Sequence, residues 1–401
     1  MLLWREKKLG EPLDWSSFYD YRAFRNFLYR WPVKTAAINL DISQACNQLC
    51  IFCDKRIEFL KTRGRPKFWS VEDIKRIKNI IGFYPRVTFA GECGEPLLNP
   101  EIVEILREVK SVNKNIEVQV LSNGLTLTPE LFEKVKHYVD VFRFSLNAAT
   151  EETHNRIALN SDFRMVLDNL RYVRDHKPAS MKTVISFIGM KMNIHELPSV
   201  VLMAEELGVY KVILQNLSET GYDAVRGQSL VRYPDLLRKY WCEAQNTIKA
   251  EGLRVYLETC SGYLDILCGK DRASFEEVDA NGRFKEKKDF VPKKGETRNC
   301  PAPFFSTFVR FNGDIDPCPS RSLYNRKSDF GNIFTIGIPP IVSKKFGKLR
   351  KAILDGRLPD YCKYCNMMST VKVDDFRNKI MSFVCIRAGD FFQDVKRGKN
   401  R

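Results

Sequence analysis

LDISQACNQLCIFCDKR, residues 40–56, places Cys46, Cys50 and Cys53 within eight residues, directly after an apolar run that reads as a strand. Three thiolates on one short loop can hold three corners of a [4Fe–4S] cube and leave the fourth iron without a protein ligand. A closed structural zinc site takes four ligands, usually in paired C-x2-C knuckles, and the nearest further cysteine, Cys93, belongs to a different loop. The spacing C-x3-C-x2-C therefore points to a metal centre with an open position. It sits at a strand's carboxyl end, where α/β folds gather their chemistry.

Outward from that loop, residues 35–217 alternate short apolar runs with amphipathic segments, the mark of repeated β-α units and a parallel sheet. The strands predicted are 36–42, 86–90, 116–122, 141–147, 183–189 and 211–217, with helices near 71–82, 100–110, 129–138, 162–175 and 195–207. Thr128-Pro129 and Asn99-Pro100 read as cap-plus-first-turn pairs. Six units are too few for a closed eight-stranded barrel, so the expected fold is α/β, a partial (β/α)6 TIM-like barrel with its site at the strands' carboxyl ends.

The rest of the 401 residues divides around this core. Residues 1–34 carry aromatics at mixed spacing and read as an N-terminal helical extension. Residues 218–299 are polar and irregular apart from a helix near 234–251. Their end, RFKEKKDFVPKKGETR (283–298), has seven basic and three acidic residues and reads as a linker or lid. Residues 300–385 hold short strands around a Gly-Asp turn with cysteines at their edges, and 386–401 form a basic tail.

Composition narrows the class. With 44% hydrophobic and 28% charged residues the chain reads as a folded, enzyme-sized protein. No apolar run approaches a membrane span and the start is too charged for a signal peptide, so a cytoplasmic location is expected. Twelve cysteines without a secretion signal are then metal ligands and buried thiols rather than a disulfide framework. The formal charge of +16 attracts anions, whether a phosphorylated metabolite, an acidic protein or nucleic acid. No zinc-finger, RRM or KH signature is present and basic residues are not interleaved with aromatics in one compact stretch, which argues against a nucleic-acid-binding protein with structural metal sites.

The first cysteine loop resembles that of the radical S-adenosylmethionine (radical SAM) superfamily, with Phe52 at the aromatic position before the last cysteine. GECGEPLLNP (91–100) is similar to the family's Gly-Gly-Glu-Pro turn, matched by Gly94 and Glu95. Cys93 departs from it, standing where a glycine is usual. The resemblance implies that Gly94 and Glu95 hold the methionine amino group. It implies that Ser122, Ser145 and Asn147 at the ends of later strands meet the ribose and carboxylate, that Arg156 pairs with the carboxylate, and that Leu214 and Asn216 lie near the adenine. Ser and Asn also cap helices and form turns.

Cys300, Cys318, Cys362 and Cys365 form C-x17-C-x43-C-x2-C. This is similar to the twitch form of the SPASM-type extension, whose four cysteines bind one auxiliary [4Fe–4S] cluster. A full SPASM module continues with more cysteines, and Val371 occupies the next expected place, so one auxiliary cluster is implied rather than two. Four thiolates also suit zinc, and spacing alone does not separate the metals. The resemblance further implies reductive cleavage of S-adenosylmethionine (SAM) to a 5′-deoxyadenosyl radical that abstracts hydrogen from a substrate, with a flavodoxin or ferredoxin as reductant. Net oxidation through the auxiliary cluster is the leading outcome. Epimerisation, with Cys93 or a lid cysteine returning hydrogen, is the other. The short N-terminal segment favours a small-molecule substrate over a peptide, which a partner could still deliver.

Overall fold

The computed structural model describes residues 36–53, 66–90, 94–217, 223–269, 291–319, 328–363, 368 and 370–380. The expected N-terminal extension, the basic tail, the first half of the basic stretch 283–298, Cys93, Cys365 and Cys385 lie outside the described residues. The strands in chain order are β1 (Ala37–Leu40), β2 (Leu49–Cys50), β3 (Arg86–Phe89), β4 (Glu117–Ser122), β5 (Val141–Ser145), β6 (Ala158–Leu159), β7 (Lys182–Gly189), β8 (Lys211–Asn216), β9 (Tyr256–Thr259), β10 (Glu296–Arg298), β11 (Ser306–Val309), β12 (Ile315–Asp316) and β13 (Thr370–Lys372).

The six strands read from the sequence, β1, β3, β4, β5, β7 and β8, lie side by side in that order, each parallel to the next. Their alternation explains the layering. Val118 and Val120, Phe142 and Phe144, and Ile185 and Phe187 are buried against the helices on the outside. The alternate positions Asn39, Gln119, Arg143, Ser145 and Gln215 share the inner face. The helices complete the outer layer with apolar stripes, as in Ile102–Val112, which buries Ile102, Ile105, Leu106 and Val109. Among the described residues five α-helices begin with a side-chain cap. Ser70 and Asp73 form a capping box, and Thr128, Thr150, Asp162 and Ser343 each accept a backbone N–H three residues on. Among the described residues no helix is long and apolar enough to cross a membrane.

The fold is the expected α/β partial barrel, and its sheet is wider than six strands. It has nine, in the order β12-β11-β1-β3-β4-β5-β7-β8-β9. β9 adds parallel to β8, and β11 adds parallel to β1 with Ala37 in register with Ser306. β10 lies within the stretch expected to be a linker and pairs antiparallel with β13. The helix Pro234–Ala250 forms where expected, followed by an unforeseen one, Ser261–Leu267.

Asn99-Pro100 does not open a helix, which starts later, at Ile102, with Glu101 at its cap position. Asn99 is instead buried. Its Oδ1 accepts from Glu101 N at 2.9 Å, while its Nδ2 donates to the carbonyls of Ile42 and Trp69 at 3.0 and 2.9 Å. The side chain thus does two things at once, taking the Glu101 N–H in the turn ahead of the helix and holding two carbonyls beside β1, since buried backbone acceptors must find donors.

Candidate active site

β1 delivers the chain into the three-cysteine loop, and short-range pairing fixes its shape. Leu49 and Cys50 pair antiparallel with Leu159 and Ala158, Ile51 N donates to Ile157 O at 2.9 Å, and Cys53 N to Cys50 O at 3.1 Å. Ile51 and Phe52 rest on a small apolar cluster with Ile157, Met190, Leu217 and Val225. Two amides pin the loop from other sides. Asn47 donates to Thr126 Oγ1 at 3.0 Å and accepts from Asn123 Nδ2 at 2.8 Å. Gln48 accepts weakly from the Cys50 thiol at 3.7 Å and donates to Ser161 Oγ at 2.7 Å, which lies 2.8 Å from Nε2 of buried His154. No spacing rule pointed to Gln48, Ser161 or His154.

The three cysteines lie close enough to feel one another's charge. Burial, then the charges of Glu95 and Cys53, push Cys46 up to about 11. Cys50 is driven up by burial first and then by Cys53 and Cys46. Thiolates that raise one another's pKa repel, and bound cationic metal removes that penalty with release of protons. Among the described residues no three side chains of His, Cys, Asp or Glu meet where one metal ion would sit. A cube takes each thiolate on a separate iron, so its ligands need no common point.

Gly94 packs against this loop. A Cβ there would collide with the carbonyl oxygens of Ala45 and Ser43, the latter 2.5 Å away. Only glycine lets the two backbones approach so closely. Glu95 N then donates to Ala45 O at 2.6 Å. The Glu95 side chain turns inward, accepting from Asn123 N at 2.8 Å, from Leu97 N at 3.2 Å and from the Ser122 hydroxyl. Ser122 and Glu95 thus brace each other, and Ser122 Oγ also accepts from Gly124 N at 3.0 Å.

Burial outweighs these three donors and holds the Glu95 carboxyl up at about 7. Because the folded pKa exceeds the unfolded one, folding favours the protonated form, and this stabilisation is present below about pH 4.5 and lost as pH rises through 7. The span corresponds to about 3 kcal/mol. Chemical denaturation of metal-free protein at pH 5 and pH 8 checks it: Glu95→Gln should flatten the decline with pH, and an unchanged slope would refute the assignment.

The other expected cofactor contacts are placed unevenly. Ser145 is exposed at the end of β5 on the inner face. Asn147 is buried, its Oδ1 accepting from Ile188 N at 2.7 Å. Arg156 is exposed on the helix Glu151–Ile157. Leu214 has no exposed surface and packs in the core, while Asn216 accepts from the Cys260 thiol at 3.3 Å. Two further residues hold the strand ends and were missed: Asn193 donates to Asn147 O at 2.9 Å, and buried Glu196 accepts from Ala149 N and the Thr150 hydroxyl at 2.6 and 2.7 Å. Their only signal was a polar pair after β7.

In the second set, Cys300, Cys318 and Cys362 are half-buried. Gly313, at φ +83°, turns β11 into β12, so Cys318 comes back level with the start of β11. Cys46 follows the carboxyl end of the neighbouring parallel β1, so the two cysteines lie toward opposite ends of that strand pair. Arg298, two residues before Cys300, is buried and clamps the other cysteine-bearing loop. It donates to the carbonyls of Cys362 at 2.9 Å, Lys363 at 2.6 Å and Met368 at 3.1 Å.

Residues 40–204 match the Radical SAM superfamily, and residues 300–366 match SPASM, an iron-sulfur cluster-binding domain. This chain is a radical SAM protein. Over 184 residues it is 24% identical to a probable GTP 3',8-cyclase of Saccharolobus islandicus, covering 46% of this chain and 58% of that protein. It is 28% identical over 129 residues to an S-adenosylmethionine-dependent nucleotide dehydratase of Lacinutrix mariniflava, covering 31% of this chain and 26% of that one. The chain thus spans under two thirds of the length of the curated relatives it matches. The structure of Streptococcus suis SuiB bound to S-adenosylmethionine superposes with a TM-score of 0.60 at 18% identity, covering 85% of this chain and 75% of that one. For anSMEcpe with bound AdoMet the TM-score is 0.53 at 15% identity, covering 82% and 86%.

The two domains of this radical SAM protein imply a [4Fe–4S] cluster, SAM and an auxiliary cluster. The residues present fit the first group: three neighbouring cysteines whose thiolate forms disfavour one another, a glycine contact that presses the next loop on them, and an open strand end at Ser145. Arg298→Met tests the second. Three carbonyls lose a charged donor, each loss costing about 1–3 kcal/mol, and the loop of Cys362 loosens. Iron and sulfide assays should show the auxiliary iron lost and the first cluster kept; full retention would contradict the clamp.

Proposed function

We propose that this radical SAM enzyme abstracts hydrogen from a small polar or anionic substrate and leaves it oxidised, with epimerisation as the other outcome. When bound, the first cluster and SAM supply the 5′-deoxyadenosyl radical that removes hydrogen from an unactivated carbon. Cys46, Cys50 and Cys53 would hold that cluster. The backbone at Gly94 and the hydroxyl of Ser145 are proposed to position SAM, with Arg156 and Asn147 toward its carboxylate side. What supports oxidation is the second cysteine set, carried beside the β11–β12 pair that joins the sheet at β1, where a cluster would take the substrate radical's electron.

The substrate class rests on the polar inner face of the sheet, and the printed names of the curated relatives, a GTP cyclase and a nucleotide dehydratase, agree with an anionic small molecule. A second reading, modification of a peptide, is favoured by the likeness to SuiB, one of whose structures holds the precursor peptide SuiA. The reductant would be a flavodoxin or ferredoxin, acidic proteins that a chain of formal charge +16 attracts. Deuterium transfer from candidate substrates into 5′-deoxyadenosine identifies substrate and carbon. Transfer from peptides alone would overturn the small-molecule reading.

A further inference from the structure

The outer side chains of the sheet are apolar and matched by helices, whereas the inner face presents side chains left without partners. Arg143 is the most conspicuous. It lies two residues before Ser145 on β5 and so on the same face, in register with Leu121 on β4 and Val184 on β7. Its Nε donates to Ser186 Oγ. Among the described residues that is its one hydrogen bond, and no carboxylate forms an ion pair with it. The two Nη groups, the prongs that grip an oxyanion, point to no protein acceptor.

The charges nearby are already matched. Arg86 pairs with Glu117 at 2.6 Å, and Lys211 takes Glu258 at 2.5 Å. Glu258 attracts Arg143 at longer range, but burial works against the guanidinium's charge. Among the described residues Arg143 is thus the half-buried cation of this face without an ion pair, while Lys182, in register with Val141, is exposed and sits over the Tyr210 ring. Gln119 and Gln215 share this face, and among the described residues neither side chain has a hydrogen-bond partner. A half-buried cation without an ion-pair partner is costly unless something anionic arrives.

We infer that Arg143 is a substrate-binding residue, receiving an oxyanion of the substrate, phosphate or carboxylate, one layer below Ser145 inside the barrel. The inference rests on the function proposed above and sharpens it by naming the group that is recognised. Arg143 would grip the anion with both Nη groups, while Ser186 fixes the guanidinium plane through Nε. The reacting carbon would then sit above, toward the loops of Cys46 and Gly94. A guanidinium is suited to this because its fork stays charged and planar where a lysine offers a point charge.

The test titrates SAM-loaded, anaerobically reconstituted protein by calorimetry with sodium phosphate and, separately, sodium acetate, at ionic strength held constant with chloride. One of the two anions should bind at a single site, and which one does identifies the substrate group. Arg143→Gln should weaken that binding about tenfold or more, the loss expected for a two-pronged charged contact. Arg143→Lys should weaken it less, which separates lost charge from a lost fold. Arg107→Gln, on the exposed helix face, should bind as the wild type does. Binding of neither anion by the wild type, or equal binding by Arg143→Gln, overturns the inference. Formation of 5′-deoxyadenosine by the wild type, measured in parallel, keeps the outcomes apart: its absence would sink the proposed function, while loss of anion binding alone would sink only the role of Arg143.

Discussion

Cys50→Ala should give a protein that folds, keeps its auxiliary iron and forms no measurable 5′-deoxyadenosine. Cys50 is held by its backbone, through the pairing of β2 with β6, and among the described residues its thiol's one side-chain hydrogen bond is the weak one to Gln48. Shortening it removes little packing, so melting of the metal-free protein should shift by a few degrees at most. The effect on chemistry is of another order. With one of three corners gone the cube loses its grip, and cleavage of SAM should fall well beyond the ~10–100-fold typical of changes to groups behind the ligands. Iron per chain should drop by about half, since two clusters of equal size share the protein. Cleavage within tenfold of wild type would mean that another residue holds the iron.

Gly94→Ala is expected to be nearly as damaging for a different reason. The added Cβ meets backbone carbonyls of Ser43 and Ala45, which cannot rotate away as a side chain could. The loop would have to move, breaking the bond from Glu95 N to Ala45 O and shifting Cys46 beside it. Overpacking of this kind costs about 1–3 kcal/mol, so the melting temperature should fall by several degrees. SAM affinity, read by calorimetry on cluster-loaded protein, should weaken about tenfold or more, because the same turn is proposed to receive the methionine amino group. Normal affinity with a lowered melting temperature would confine Gly94 to a structural role.

The core strands were legible because parallel strands covered by helices read as apolar runs, as in Val141–Ser145 and Lys182–Gly189. Cysteine spacing was legible because three thiols in eight residues have few chemical uses. β9 was not, since Tyr256–Thr259 is short and largely exposed. The short strands about the Gly-Asp turn were expected, but that β11 joins β1 was not, because the two lie far apart in the sequence and pairing at that distance leaves no local pattern. Side-chain direction was the deeper gap. Sequence placed Glu95 beside Gly94 but could not tell that it turns inward to three donors, nor that Leu214 is sealed in the core. Nor could it show that Arg143 faces the barrel without a counter-charge. Such facts depend on strand register and curvature, which join residues from separate units.

The most direct test is to load the full chain anaerobically with iron and sulfide, reduce it with dithionite, add SAM and measure 5′-deoxyadenosine. The account predicts its release by wild-type protein carrying about eight irons per chain, as two four-iron clusters require. Fully loaded protein that leaves SAM intact would contradict it.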